Sequence, residues 1–93
     1  MQDFRKLKVW QRAHTLSLRI DALVAKFPRT AAGLRGQLSR AAASIAANIA
    51  EGSGAASQRE FARYLDMSIK SCSETQYDIL KAYEGHLIPK ETF

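Results

Sequence analysis

The sequence predicts an all-α fold: an antiparallel up-down bundle of three long helices, with a fourth that is truncated or very short. Three observations carry this. Apolar residues recur at three- and four-residue steps through three long segments. No segment shows the apolar/polar alternation of a half-buried strand. The periodic segments are also separated by short stretches built around the breakers Pro28, Gly52, Gly54 and Gly85.

The first helix is expected to begin between Phe4 and Leu7 and to run to about Lys26, with Val9, Ala13, Leu16, Ile20, Leu23 and Phe27 forming its stripe. Trp10 and Val24 widen the stripe. Pro28 ends the helix, because the residue before a proline is pushed out of the α region. Arg5, Lys6 and Lys8 cluster at the N-terminal end, where the helix dipole disfavours cations. They are more easily explained by a ligand or partner than by helix stability.

The connection 28–33 offers Thr30 as an N-cap for the second helix. Gly33 and Gly36 in the opening turn cost about 1 kcal/mol each relative to Ala, so either the helix starts after them or they admit close backbone contact. The helix then runs to about Glu51, with Gly52-Ser53-Gly54 as its stop. Leu34, Leu38, Ala41, Ala42, Ile45 and Ile49 form its apolar stripe, beside a polar line of Ser44, Asn48 and Glu51. The alanines let a neighbouring helix approach to the short end of the roughly 8–10 Å range. Ser44 and Asn48 are then expected to form inter-helix hydrogen bonds, since an unpaired buried hydroxyl or amide costs about 1–3 kcal/mol. The competing reading has Ala as a plain helix former and the polar residues in water.

Ser57 with Glu60 three residues on is a capping box that opens the third helix. Phe61, Leu65, Ser68, Ile69, Cys72, Gln76, Ile79, Leu80 and Tyr83 keep one face to Gly85, with Ser68, Ser71 and Glu74 as a polar set midway. Tyr64 and Tyr77 flank the stripe as edge residues or as surfaces on which a base can stack. Pro89 to Phe93 reads as the start of a further helix, with proline at its first position. Without a full fourth helix, apolar surface on the first and third helices lacks cover, and exposed stripes of that size mark interfaces.

At 93 residues the chain reads as a single domain, residues 1–93, near the size at which one core is marginal and oligomerisation helps. No apolar run approaches the roughly 20 residues of a membrane span. The N-terminus lacks the pattern of a signal peptide, so a cytoplasmic protein with no membrane partner is expected. One cysteine, Cys72, forms no intrachain disulfide and is expected to pack. No Cys/His cluster has metal-ligand spacing, and neither metal nor cofactor is expected.

The formal charge is +5, unevenly placed: residues 1–40 carry a balance of +7 and residues 41–93 one of −2. Such asymmetry points to a polyanionic partner, nucleic acid or an acidic protein surface, against a solvated cationic face with no partner. The candidate nucleic-acid contacts are Arg5, Lys6, Lys8, Arg12, Arg19, Lys26, Arg29 and Arg35. Sequence-tolerant binding is expected, because no Asn, Gln or Arg is arranged to read base edges.

The runs Phe4-x-x-Leu7-x-Val9-Trp10-Gln11, Phe27-Pro28, Gln37-Leu38-x-Arg40-Ala41-Ala42-x-Ser44-Ile45-x-x-Asn48-Ile49-Ala50-Glu51-Gly52, Glu60-Phe61-x-Arg63-Tyr64-Leu65 and Ser71-Cys72-x-Glu74 resemble a known family. It comprises the four-helix-bundle proteins encoded in intervening sequences of bacterial 23S ribosomal RNA genes. The family includes the accessory variability determinant of diversity-generating retroelements. The resemblance covers nearly the whole chain. It implies a four-helix bundle assembling into a homopentameric barrel with a basic surface, associated in the retroelement branch with nucleic acid and a reverse transcriptase. This chain departs from the pattern at Lys70 and Cys72, at Ala46 and Ala47, and in its nearly absent fourth helix.

Three function classes are thus set side by side. The first is an RNA- or DNA-binding accessory protein using the basic surface of a homo-oligomer. The second is an interaction module docking an acidic protein such as a reverse transcriptase. An enzyme is the third and least supported, since His14 and His86 have no nearby Ser/Asp or Cys arrangement that the sequence places with them. Glu51 and Glu74 form a carboxylate pair placed to approach each other across the second and third helices, with Arg40 and Arg63 as competing partners. A structural polar network of Arg40, Ser44, Asn48, Glu51, Ser71 and Glu74, buried or bridging subunits, is the expected use of these groups.

Overall fold

The computed structural model describes residues 2–89. Among these there are three α-helices, α1 (Lys8–Val24), α2 (Ala32–Ser53) and α3 (Gln58–Glu84), and no strand. Short 3-10 turns, Phe4–Lys6 and Arg29–Ala31, precede α1 and α2. The rod they form measures 44 × 21 × 20 Å.

Each helix ends for a local reason. Asp3 caps the first 3-10 turn by accepting from the Arg5 amide at 3.1 Å, and α1 follows without a side-chain cap of its own. α1 stops at Val24, short of Lys26, because the chain tightens there: the Lys26 and Phe27 amides reach back three residues, to Leu23 and Val24. Pro28 is then extended. Thr30 does not cap α2. The 3-10 turn runs straight into the helix, so Thr30 lies inside the turn and Ala31 takes the cap position with no side-chain bond. Gly33 and Gly36 lie within α2 rather than before it. A methyl group on Gly33 would meet nothing within 4 Å, and one on Gly36 would meet only the movable Arg40 guanidinium at 2.9 Å.

α2 also outruns its expected end and continues to Ser53. Gly52, expected as part of the stop, is a buried contact: a Cβ there would lie 2.7 Å from Phe61 Cδ1 and 2.8 Å from Tyr64 Cβ. At α3 the Ser57 hydroxyl accepts from the Glu60 amide at 3.1 Å, as the capping box requires. The far end closes on Gly85, but His86 takes the left-handed conformation, φ 63°. Its amide donates to Tyr83 O at 3.0 Å and that of Leu87 to Ala82 O at 2.9 Å, the paired bonds of a Schellman turn. The expected start of a further helix after Pro89 lies outside the described residues.

α2 is the middle of the rod. No Cα of α1 comes within 8 Å of one in α3, while both helices pack on α2. One core cluster gathers Ile20, Val24, Phe27, Leu38, Ala42, Ala82 and Ile88; the other gathers Ala13, Ile45, Ala46 and Ile49, with Leu7, Trp10, Leu65 and Cys72 against it. Ala42 and Ala82 are wholly buried, and methyl-sized side chains at such positions let helices approach closely.

Candidate nucleic-acid interface

Two faces of this rod hold the candidate residues, the α2–α3 seam and the outer side of α1. At the seam the Ser44 and Ser71 hydroxyls meet at 2.8 Å, and the Ser68 hydroxyl donates to the Ile45 carbonyl at 2.9 Å. Both cross between helices. Asn48 does not cross: its amide donates within α2, to the Ser44 carbonyl at 2.9 Å and hydroxyl at 3.0 Å, and so reaches α3 only through Ser44.

Of the six residues expected in a polar network, Ser44, Asn48 and Ser71 are thus together. Arg40, Glu51 and Glu74 are exposed, and none of the three makes an ion pair among the described residues. The register explains why. With Ser44 facing Ser71, Glu74 lies opposite Ala41, so Glu51 is about 15 Å away at 1.5 Å rise per residue. The two carboxylates share no site.

The seam holds two groups that sequence reasoning passed over. The Thr75 hydroxyl donates to the Ser71 carbonyl at 2.8 Å. Asp78 is only 3% exposed, and its Oδ2 has no hydrogen-bond partner. Burial pushes the Asp78 carboxyl above its ordinary value, the Glu74 charge adds to this, and Lys81 opposes it. Ser71, Thr75 and Asp78 follow at i, i+4 and i+7, so a helical wheel drawn from Ser71 finds both.

The outer side of α1 carries the cations. Lys8, Arg12 and Arg19 fall within about 40° of one another at 100° per residue, spread over about 16 Å of helix. All three are exposed, and Lys26, just past the helix end, is exposed too. Asp21, the acid of this helix, accepts from the Ser39 hydroxyl of α2 at 2.9 Å, on a different side of α1 from the row.

The remaining candidates are placed less simply. Arg5 pairs with Asp3 at 3.1 Å, and that contact holds the Asp3 carboxyl below and the Arg5 guanidinium above their ordinary values. Lys6 is exposed beside it, and Arg29 is exposed at the opposite end of the rod. Arg35 is half-buried, its Nε without a partner. The row therefore unites Lys8, Arg12, Arg19 and Lys26, with Arg5 and Lys6 at one end and Arg29 and Arg35 away from it.

Beside the row lies the open side of the rod. Val9, Ala13 and Leu16 of α1, Ile45 and Ile49 of α2, and Leu65, Ile69 and Cys72 of α3 line a groove of about 430 Å³, with Arg12 on its edge. Val9 and Ile69 are 54% and 62% exposed, which is costly for aliphatic side chains if nothing covers them. A second hollow of about 520 Å³, between Arg19, Leu23 and Lys26 on one side and Ile79 and Ile88 on the other, continues toward the far end. Among the described residues, no group of three or more His, Cys, Asp or Glu is placed to hold a metal ion. Nor is any helix there long and apolar enough to cross a membrane.

An all-α bundle with an alanine-lined middle helix and a basic flank is the class of protein that these features define. Residues 5–93 match the 23S rRNA-intervening sequence protein family, and the chain belongs to that family. No curated protein and no solved structure matches the chain.

Proposed function

We propose that the chain is a non-enzymatic RNA- or DNA-binding accessory protein of the cytoplasm, acting through the basic surface of a homo-oligomer. The observation that supports this best is the row Lys8, Arg12, Arg19 and Lys26, exposed and without an ion pair among the described residues. Cations so placed neutralise phosphates and release counterions, which gives affinity with little sequence preference. Assembly into a pentamer, as in the family resemblance, repeats the row and raises a weak attraction through effective concentration. The uncovered groove is where such assembly would bury apolar surface. A relation to the retroelement accessory proteins belongs to the same reading.

Binding to a mixed-sequence oligonucleotide, measured across a salt series, tests the proposal. Each phosphate neutralised contributes about −0.9 to the log–log salt slope on duplex DNA, so replacing Arg12 and Arg19 by Ala should flatten the slope by almost two per chain. Absence of binding at low salt removes the reading.

The groove favours a second reading. An apolar channel edged by cations suits an amphipathic helix with acidic flanks, such as one offered by a reverse transcriptase. Capture of a protein that survives nuclease treatment, with no affinity for naked nucleic acid, would favour this alternative.

A further inference from the structure

α1 also carries a feature that the cationic row does not use. Trp10 and His14 stand one turn apart, their rings nearly parallel at 10° with centroids 4.7 Å apart. Phe4, from the 3-10 turn, meets the indole edge-on at 5.0 Å and 64°. The turn is fixed in place: the Gln11 side-chain amide donates to the Arg5 carbonyl at 2.9 Å, and the Leu7 amide donates to the Phe4 carbonyl at 3.0 Å. Trp10 is half-buried against the Ala13, Ile45, Ala46 and Ile49 cluster. The indole is therefore held from several sides, whereas His14 is exposed.

The other aromatic groups at the surface lack this arrangement. Arg63 already lies over the Tyr64 ring, 5.3 Å from its centroid. Tyr77, 62% exposed, has no ring neighbour among the described residues.

We propose that the Trp10–His14 stack is a platform for an unpaired nucleobase, which lies on the imidazole and extends the pile of rings. The proposal rests on the reading of α1 as a phosphate-binding helix and adds to it a contact that only single strands can use. Within a duplex each base face is covered by its neighbours, whereas an unpaired base offers a π-face to an aromatic ring. Lys6, exposed in the turn that precedes the stack, is the cation placed for the strand's phosphates; Arg5 is engaged by Asp3, and Lys8 lies about 120° round the helix from His14. Stacking on a face gives affinity without reading base edges, in keeping with sequence-tolerant binding.

Trp10 is the chain's one tryptophan, so its emission reports on this place alone. The full chain is titrated with single-stranded oligoadenylate of roughly ten nucleotides, within the usual range of single-strand site sizes, and with a duplex of equal length. Single strands are expected to quench Trp10 and the duplex to bind without quenching. His14→Ala should weaken single-strand binding at least about fivefold, leaving duplex binding unchanged, and His14→Tyr should restore it. Single-strand affinity untouched by His14→Ala overturns the platform, whether or not that variant melts earlier. Failure of His14→Tyr to restore affinity overturns it as well. If the parent chain binds neither strand form at low salt, the nucleic-acid reading itself falls.

Discussion

Asp78 is an unusual tenant of the α2–α3 seam: a carboxyl 3% exposed, with one oxygen lacking any partner and Glu74 adding like charge. Its native proton affinity is raised, so the folded state holds the proton more tightly than the unfolded chain does. The stabilising contribution of the protonated form is therefore complete below the ordinary value of 3.8 and is lost as pH rises through the higher native value. Asp78→Asn keeps the shape and removes the charge. Leaving a buried polar group unsatisfied costs about 1–3 kcal/mol, and more when it is charged. Asn still has an amide to satisfy, so a net gain of about 1 kcal/mol at neutral pH is expected, equivalent to about 4–8 °C in Tm for a domain of this size. Thermal melts followed by far-ultraviolet circular dichroism, for parent and variant across a pH series, read this directly. The gap between them should be widest at neutral pH and close below pH 3.8. A variant that melts at or below the parent temperature at neutral pH, or a gap that ignores pH, would refute the reasoning.

Other substitutions probe the backbone. Gly33→Ala should stabilise by about 1 kcal/mol in urea titrations, since the residue is helical and a methyl group there meets nothing within 4 Å. Gly52→Ala should act in the opposite sense, by about 1–3 kcal/mol in the same titrations, because Tyr64 Cβ at 2.8 Å is too close to its own backbone to move aside. His86→Gly should raise Tm by an amount equivalent to about 1 kcal/mol, because a residue with a Cβ is strained at φ 63°.

The helices were legible because their stripes are long and cleanly periodic: Ala13, Ile20 and Val24 are buried in α1, and Leu38, Ala42, Ile45 and Ile49 in α2. Their ends were less so. Where α1 stops depends on whether the last amides bond three or four residues back, and stripe spacing says nothing about that. Gly52 reads as a stop in sequence, but its lack of a side chain serves a contact with α3 that only the register reveals. The seam was half legible. Small polar residues at helical spacing identified Ser44 and Ser71, yet Asn48 has a partner within its own helix that competes with any bond across the seam. Asp78 escaped notice because an acid is expected to face water, and it lies instead on the buried line that Ser71 and Thr75 begin. The cationic row follows directly from helical angles once the span of α1 is known, whereas Arg5 was counted without the neighbouring Asp3 that engages it.

The backbone of α1 packs on that of α2, and α1 meets α3 only through side chains, as where Ile20 and Val24 share a cluster with Ala82, so the rod contains a natural line of separation. The hairpin of α2 and α3 keeps its own inter-helix bonds, Ser44 to Ser71 and Ser68 to Ile45, if α1 lifts away. Deuterium exchange should then proceed in α1 through a partial opening that costs less than global unfolding, while the hairpin amides stay protected. A ligand clasped by α1 and its neighbours would close that opening, so occupancy would be written into the exchange rates of one helix.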